Sequence, residues 1–429
     1  MAKPPSGREV PTKEGKGACE NYGSYKVRLH ALSFSHLTVP APSAGSLNDN
    51  NKSTAKGTKQ QMKIKRFRAE DFRNITACDI EFCDRVNLLY GKNAQGKTNA
   101  VEGIYLFSRG RSHRTSDDKE MIRFGAEGFR ISIEYETKDG VETLEYACFG
   151  RERRRLKNGY RLKSASEMVG SFKSVLFYPD NLGLVKGGPE ERRAFLNVAL
   201  AQCYPVYLAE YQRYKTALEN RNSILKSASK GQYFDNDELI AWSEEMAKYA
   251  AYIYVKRREY LDLLSPYVRD VGLELSEGRE EITLSLASDI VGECPDIRAA
   301  EDEYRRIFTA NLDREKIVGT SLYGPQRDDV DIRISGNPAR SFASQGQQRS
   351  IVLAMKLAEG EVIKRLFGEY PVFLFDDVLS ELDKERRKYV LEGMRDRQVI
   401  ITSCEGEDII DGAERIIEVQ GGNYVSAHR

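Results

Sequence analysis

The octet Gly91-Lys92-Asn93-Ala94-Gln95-Gly96-Lys97-Thr98 places a glycine-bounded loop, a lysine and a hydroxyl in the order needed to hold phosphate. Glycines let successive backbone N–H groups converge on phosphate oxygens, the lysine adds a mobile positive charge, and the threonine offers a hydroxyl ligand for magnesium. The run Arg85 to Tyr90 predicts a short buried strand before the loop. Thr98 to Phe107 predicts a helix after it, packing through Val101, Ile104 and Leu106. Strand, glycine loop and helix are the context such a motif requires.

Far downstream, Pro371-Val372-Phe373-Leu374-Phe375-Asp376-Asp377 reads as an apolar strand ending in two carboxylates, a Walker B pattern. Alone it would be a strand with a charged turn; beside a phosphate loop it acquires chemistry. Asp376 is expected to share a magnesium shell with Thr98, and Asp377 to orient water for in-line attack on a γ-phosphate. The ligands implied are ATP and Mg2+, with Lys97 and Asp377 as the catalytic groups. The run Gln398 to Ser403 predicts a neighbouring strand whose Thr402 and Ser403 stand where a γ-phosphate sensor would sit.

Between the two motifs lies Ser341-Phe342-Ala343-Ser344-Gln345-Gly346-Gln347-Gln348-Arg349, which opens a helical pattern through Ile351, Leu353, Ala354 and Leu357. A hydroxyl and a close-approaching backbone at a helix N-terminus make a second anion site, carried by Ser344, Gly346 and Gln347. In isolation this would be a polar helix cap. Its place ahead of the Walker B strand, and the Ser380-Glu381-Leu382-Asp383 that follows that strand, favour a signature motif of the ABC ATPase class. In that class the serine of one subunit caps the γ-phosphate held by the other, so an ATP-dependent homodimer is expected.

Seven ordered stretches resemble the RecF family of bacterial replication and repair ATPases, related to SMC proteins. They are Phe72-Arg73-Asn74, Gly91 to Asn99, Ser112-His113-Arg114-Thr115, Pro179 to Leu182 with Gly188-Pro189 and Arg192-Arg193, Gly324-Pro325 with Arg327-Asp328-Asp329, Ser344 to Arg349, and Asp376 to Asp383. The likeness runs from Met62 to about Val425. Gln326 stands where the family has histidine, and Asn197 where it has aspartate. The resemblance implies an α/β fold, an ABC-type, SMC-like head with an inserted helical arm. It also implies ATP-driven dimerisation on single- and double-stranded DNA at gaps, RecR and RecO as partners, and RecA loaded indirectly.

The chain divides by pattern into a polar extension 1–61, expected to be disordered, a first ATPase lobe 62–180, a helical arm 181–305 and a second lobe 306–429. Met62 is expected to be the true start. Tyr207, Tyr211, Tyr214, Leu218 and Leu225 face a second stripe of Leu239, Trp242, Met246, Tyr249, Ile253 and Tyr260 across a polar loop, Lys226 to Gln232. That makes a short helical hairpin, with its tyrosines in the core and without long heptads.

A formal net charge of +1 leaves any DNA affinity to local patches. Arg109, Arg111 and Arg114 follow the phosphate-loop helix and are the expected DNA contacts. Arg151 to Lys157 and Lys256-Arg257-Arg258 read as solvated charged faces. Seven scattered cysteines without a Cys-x-x-Cys pair, and no apolar run long enough to span a membrane, point to a reduced cytoplasmic protein.

The reading is therefore a weakly turning-over DNA-dependent ATPase of recombinational repair, because Asp377 is one methylene shorter than the glutamate usual in transport ATPases. Alternatives are an ATPase subunit of a membrane importer, against which the long separation of Thr98 from Asp376 counts, and a nucleotide-switched structural clamp.

Overall fold

The computed structural model describes residues 61–290, 292, 294–394, 396–404 and 412–427. The extension 1–61 thus lies, but for Gln61, outside the described residues. A six-stranded sheet runs in the order Asn423–Ala427, Arg415–Gln420, Val86–Tyr90, Val399–Ser403, Val372–Asp376, Ser174–Phe177, parallel except for its edge hairpin. Alternation along these strands sorts side chains between two cores. Leu88, Phe373, Phe375, Val399 and Ile401 face one, with the arm and signature helices. Leu89, Leu374 and Ile400 face the other, with Val101, Ile104 and Leu106 of the phosphate-loop helix, Lys97–Arg109. Each such fully buried side chain contributes about 1.5–3 kcal/mol.

The second core is closed by an antiparallel sheet ordered Ile75–Glu81, Lys63–Phe72, Gly128–Thr137, Gly140–Phe149, Glu152–Lys157, Tyr160–Arg161. Because the central strands are parallel, Tyr90, Ser403, Asp376 and Phe177 end along one edge, with Asp376 opposite Thr402 and Ser403 opposite Tyr90. That edge is where open α/β sheets bind ligands.

The arm is an antiparallel helix pair, Tyr207–Ser229 and Asn236–Leu275. Tyr207, Tyr214 and Tyr260 are core residues. The segment read as a loop from Lys226 is helical through Ser229, and the second helix runs past Pro266 to Leu275. Burial of Tyr260, Leu261, Leu264 and Val268 along one face outweighs the roughly 3 kcal/mol that a mid-helix proline costs. The strand Ile282–Ala287, from the arm segment, pairs with Asp329–Ile334 of the second lobe, so the 305/306 division cuts through a sheet.

One charged run departs from expectation. Arg257 is no solvated residue: it and Asp328 are each 1 % exposed and joined at 2.7 Å. Its guanidinium also donates to the Pro325 carbonyl at 2.6 Å and to Asn197 Oδ1 at 3.1 Å. Helical position set this outcome: Arg257 lies on the buried stripe with Tyr254 and Tyr260. Arg192 forks onto Asp329 at 2.6 and 2.9 Å, and Arg193 donates to the Asp328 carbonyl at 2.8 Å. Stretches spread from 192 to 329 therefore form one polar scaffold under the arm.

Candidate nucleotide-binding site

The phosphate loop turns through Ala94, φ 63°, and Gly96, φ 117°. The second value lies where a side chain is strained, and a β-carbon on Gly96 would meet Asn74 Oδ1 at 2.8 Å. Lys97, 3 % exposed, curls back over the loop and donates to the carbonyls of Gly91 at 2.7 Å and Lys92 at 3.0 Å. Lys92, Asn93 and Ala94 are exposed, and Gln95 is half-buried. The ammonium is thus held against the backbone of the loop itself.

Thr98 Oγ1 donates to Asp376 Oδ1 at 2.9 Å, and Thr402 Oγ1 donates to the same oxygen at 2.8 Å. Thr402 also accepts the Asp377 N–H at 2.9 Å, so one hydroxyl ties the Asp376 carboxylate to the Asp377 backbone. Burial raises the Asp376 pKa and the neighbouring Asp377 adds to the rise, while the two hydroxyl bonds oppose it. A buried acceptor pair of this kind suits a cation. The donor set fits Mg2+: Thr98 and Asp376 supply hard oxygens and leave the remaining positions to phosphate and water. When bound, the ion would neutralise charge developing on the phosphates. Asp377 has φ 54°, an uncommon conformation for a residue with a side chain, just past the end of the strand, and it is half-buried.

Ser344 caps the helix Gln345–Phe367 in a reciprocal box. Its Oγ accepts the Gln347 N–H at 3.3 Å, and Gln347 Oε1 accepts the Ser344 N–H at 2.7 Å. Ser344 is exposed and Gly346 half-buried, and Gln347 also donates to Glu280 at 2.9 Å. These bonds stay within the signature turn and its neighbour, and among the described residues no hydrogen bond joins the signature to the phosphate loop within one chain. Arg386 links the two downstream motifs, bonding Asp383 and donating to Ser350 Oγ at 2.9 Å.

A hub that the sequence did not assign lies beside the loop. Glu102, fully buried on the phosphate-loop helix, accepts from Arg73 at 2.6 and 3.0 Å, Ser112 at 2.5 Å and Arg114 at 3.0 Å. Burial works against its ionisation, but these donors hold it below the usual carboxylate range. Arg114 also reaches Asn99 at 2.9 Å, and Asn99 reaches Asn74 at 2.7 Å, against the loop itself. The three arginines expected to touch DNA thus have different surroundings. Arg114 joins this hub, and Arg109 donates to the Ser112 carbonyl at 3.1 Å beside a polar cavity of about 60 Å³. Arg111 stands exposed. The stretches Phe72 to Asn74 and Ser112 to Thr115 carried the signal, yet their meeting point on Glu102 has no local pattern.

Residues 63–426 match the RecF/RecN/SMC N terminal domain family. The chain is 36% identical over 372 residues to the DNA replication and repair protein RecF of Ruminiclostridium cellulolyticum, covering 85% of this chain and all of that one. It is 34% identical over 351 residues to RecF of Bacillus subtilis, covering 81% and 95%. A solved structure of the recombination mediator protein RecF-ATP in the RecFOR pathway superposes with a TM-score of 0.81 at 31% identity, over 87% of this chain and 100% of that one. An Smc head domain from Pyrococcus furiosus shares the fold at a TM-score of 0.50 and 17% identity. A parallel sheet carrying both nucleotide motifs at one edge, and relatives matched nearly end to end, place this chain in the RecF family of DNA replication and repair proteins, built on the SMC-type ATPase head.

Proposed function

We propose that this protein binds Mg-ATP at the phosphate loop, dimerises around two nucleotides and in that state holds gapped DNA during replication and recombinational repair in the cytoplasm. RecR and RecO are its partners, and recombinase loading is the outcome. The observation that carries this reading is the bonded quartet Thr98, Asp376, Thr402 and Asp377 at the loop, coupled with an exposed Ser344 whose bonds remain in its own turn. One half of a nucleotide site is assembled, and the hydroxyl suited to the other half faces outward.

In the proposed cycle, loop amides and Lys97 bind the β- and γ-phosphates, and Ser344, Gly346 and Gln347 of a second copy cap the γ-phosphate. Asp377 orients the attacking water, and hydrolysis is slow because its carboxylate reaches less far than a glutamate would. Hydrolysis releases the dimer. Arg111 is the leading DNA contact, with Arg109 and Arg114 coupling that surface to the nucleotide through Ser112 and Glu102.

Sizing the protein by light scattering with and without Mg-ATP, free and on gapped duplex, tests the whole reading. The mass is expected to double only with ATP and to remain doubled on DNA. A nucleotide-independent mass would overturn it.

A further inference from the structure

The far end of the chain grips the phosphate loop. Strand Arg415–Gln420 pairs in parallel with Val86–Tyr90, bringing Glu418 opposite Tyr90 where the loop begins. A β-carbon on Gly91 would overlap the Val419 carbonyl, so the two backbones are in close contact. Past the strand, the Gly421 N–H donates to Gln95 Oε1 at 2.7 Å and the Gly422 N–H to the Gln95 carbonyl at 2.9 Å. The Tyr424 hydroxyl then donates to the Gly96 carbonyl at 2.8 Å. That same carbonyl accepts the helix amides of Asn99 and Ala100 at 2.9 and 3.1 Å.

A planar trans peptide points its C=O and its N–H in opposite directions. The Gln95 and Gly96 carbonyls are both drawn toward the hairpin, so the N–H groups of Gly96 and Lys97 point away from it. Neither amide has an acceptor among the described residues. Successive free amides facing one way are what an anion nest requires. Burial pushes the Tyr424 phenol well above its ordinary range, which keeps it a donor.

We propose that the hairpin Arg415–Ala427 is a clamp that aims the phosphate-loop amides, with the Tyr424 hydroxyl as the positioning group for the polyphosphate chain of a nucleoside triphosphate. This rests on the ATP site described above. The clamp makes the loop's geometry depend on a segment more than 300 residues away, as the 328-residue separation of Tyr424 and Gly96 illustrates.

The test uses the full chain and Mg-ATP titrated calorimetrically into the parent, Tyr424→Phe, Gln95→Leu and Lys97→Ala. Tyr424→Phe is expected to weaken ATP about five- to tenfold, the scale of one hydrogen bond. It should also move the β-phosphate resonance of bound ADP in ³¹P spectra while the melting temperature stays within about 2 °C. Gln95→Leu, which alters a half-buried side chain, should weaken ATP about two- to threefold. Parental affinity and an unmoved resonance in both hairpin-contact variants, with binding weakened in Lys97→Ala, would overturn the clamp and leave the ATP site standing. Parental affinity in Lys97→Ala would remove the site and the clamp together.

Discussion

Thr98 and Asp376, 278 residues apart in the chain, are joined by a 2.9 Å hydrogen bond. The contact brings the first hydroxyl of the phosphate-loop helix onto the carboxylate at the end of the Walker B strand. The two oxygens proposed to hold the cation are thereby brought together by packing of the parallel sheet alone, and on that proposal little ordering remains to oppose binding.

Lys97→Ala should weaken ATP about 10- to 150-fold, the equivalent of about 1.5–3 kcal/mol for a charge-assisted bond. Direct titration reads it. Since Lys97 bonds only loop carbonyls among the described residues, the fold should survive, and a parental circular dichroism spectrum would verify that.

Ser344→Arg should leave ATP affinity within about twofold, because among the described residues the serine bonds only within its own turn. Dimerisation should be lost. Light scattering that still reports a doubled mass with ATP would contradict the proposed sandwich.

Asp377→Asn should slow ATP hydrolysis by at least about 10²-fold, in keeping with loss of a catalytic base. Magnesium and nucleotide binding should persist, since Asp376 holds the hydroxyl ligands. Phosphate release at the parental rate would move the base elsewhere, with Glu381 the first residue to examine.

Arg257→Ala should destabilise the fold by about 3–5 kcal/mol in urea unfolding, because it strands the buried Asp328 carboxylate. Exposed Arg151→Ala should change stability by less than about 0.5 kcal/mol. Comparable losses in the two would refute the buried-scaffold assignment.

His113 makes a pH prediction. Burial, with smaller contributions from Arg109, Arg114 and Arg73 working against Glu102, lowers its pKa to about 4. The unfolded chain then binds the proton first, near pH 6.5. Stability should therefore be full above about pH 6.5 and fall as pH drops toward 4, by an amount of order 2 kcal/mol. His113→Gln should flatten that part of the profile. An unchanged slope in the variant would assign it to other groups.

The residues proposed for the nucleotide half-site stood out in the sequence because their pattern is local. A glycine loop between strand and helix, and an apolar strand ending in Asp376 and Asp377, each carry their meaning within about ten residues. The arm was legible for a similar reason, since its two stripes repeat at helical spacing. The extent of the second helix was not, because packing of Tyr260 to Val268 overrode Pro266.

What tertiary structure alone decided are meetings between distant residues of ordinary type. Arg257 sits in a basic triplet that reads as solvated, and only the buried helix face turned it toward Asp328. Arg114 reads as a DNA-facing cation, yet folding brought it to Glu102 with Arg73 and Ser112. Tyr424 has no motif at all, and sheet order placed it on Gly96. Local sequence sets which groups can donate, accept or carry charge; which of them share a low-dielectric space is set by how the strands are ordered and the helices packed, and there a single missing partner costs several kcal/mol.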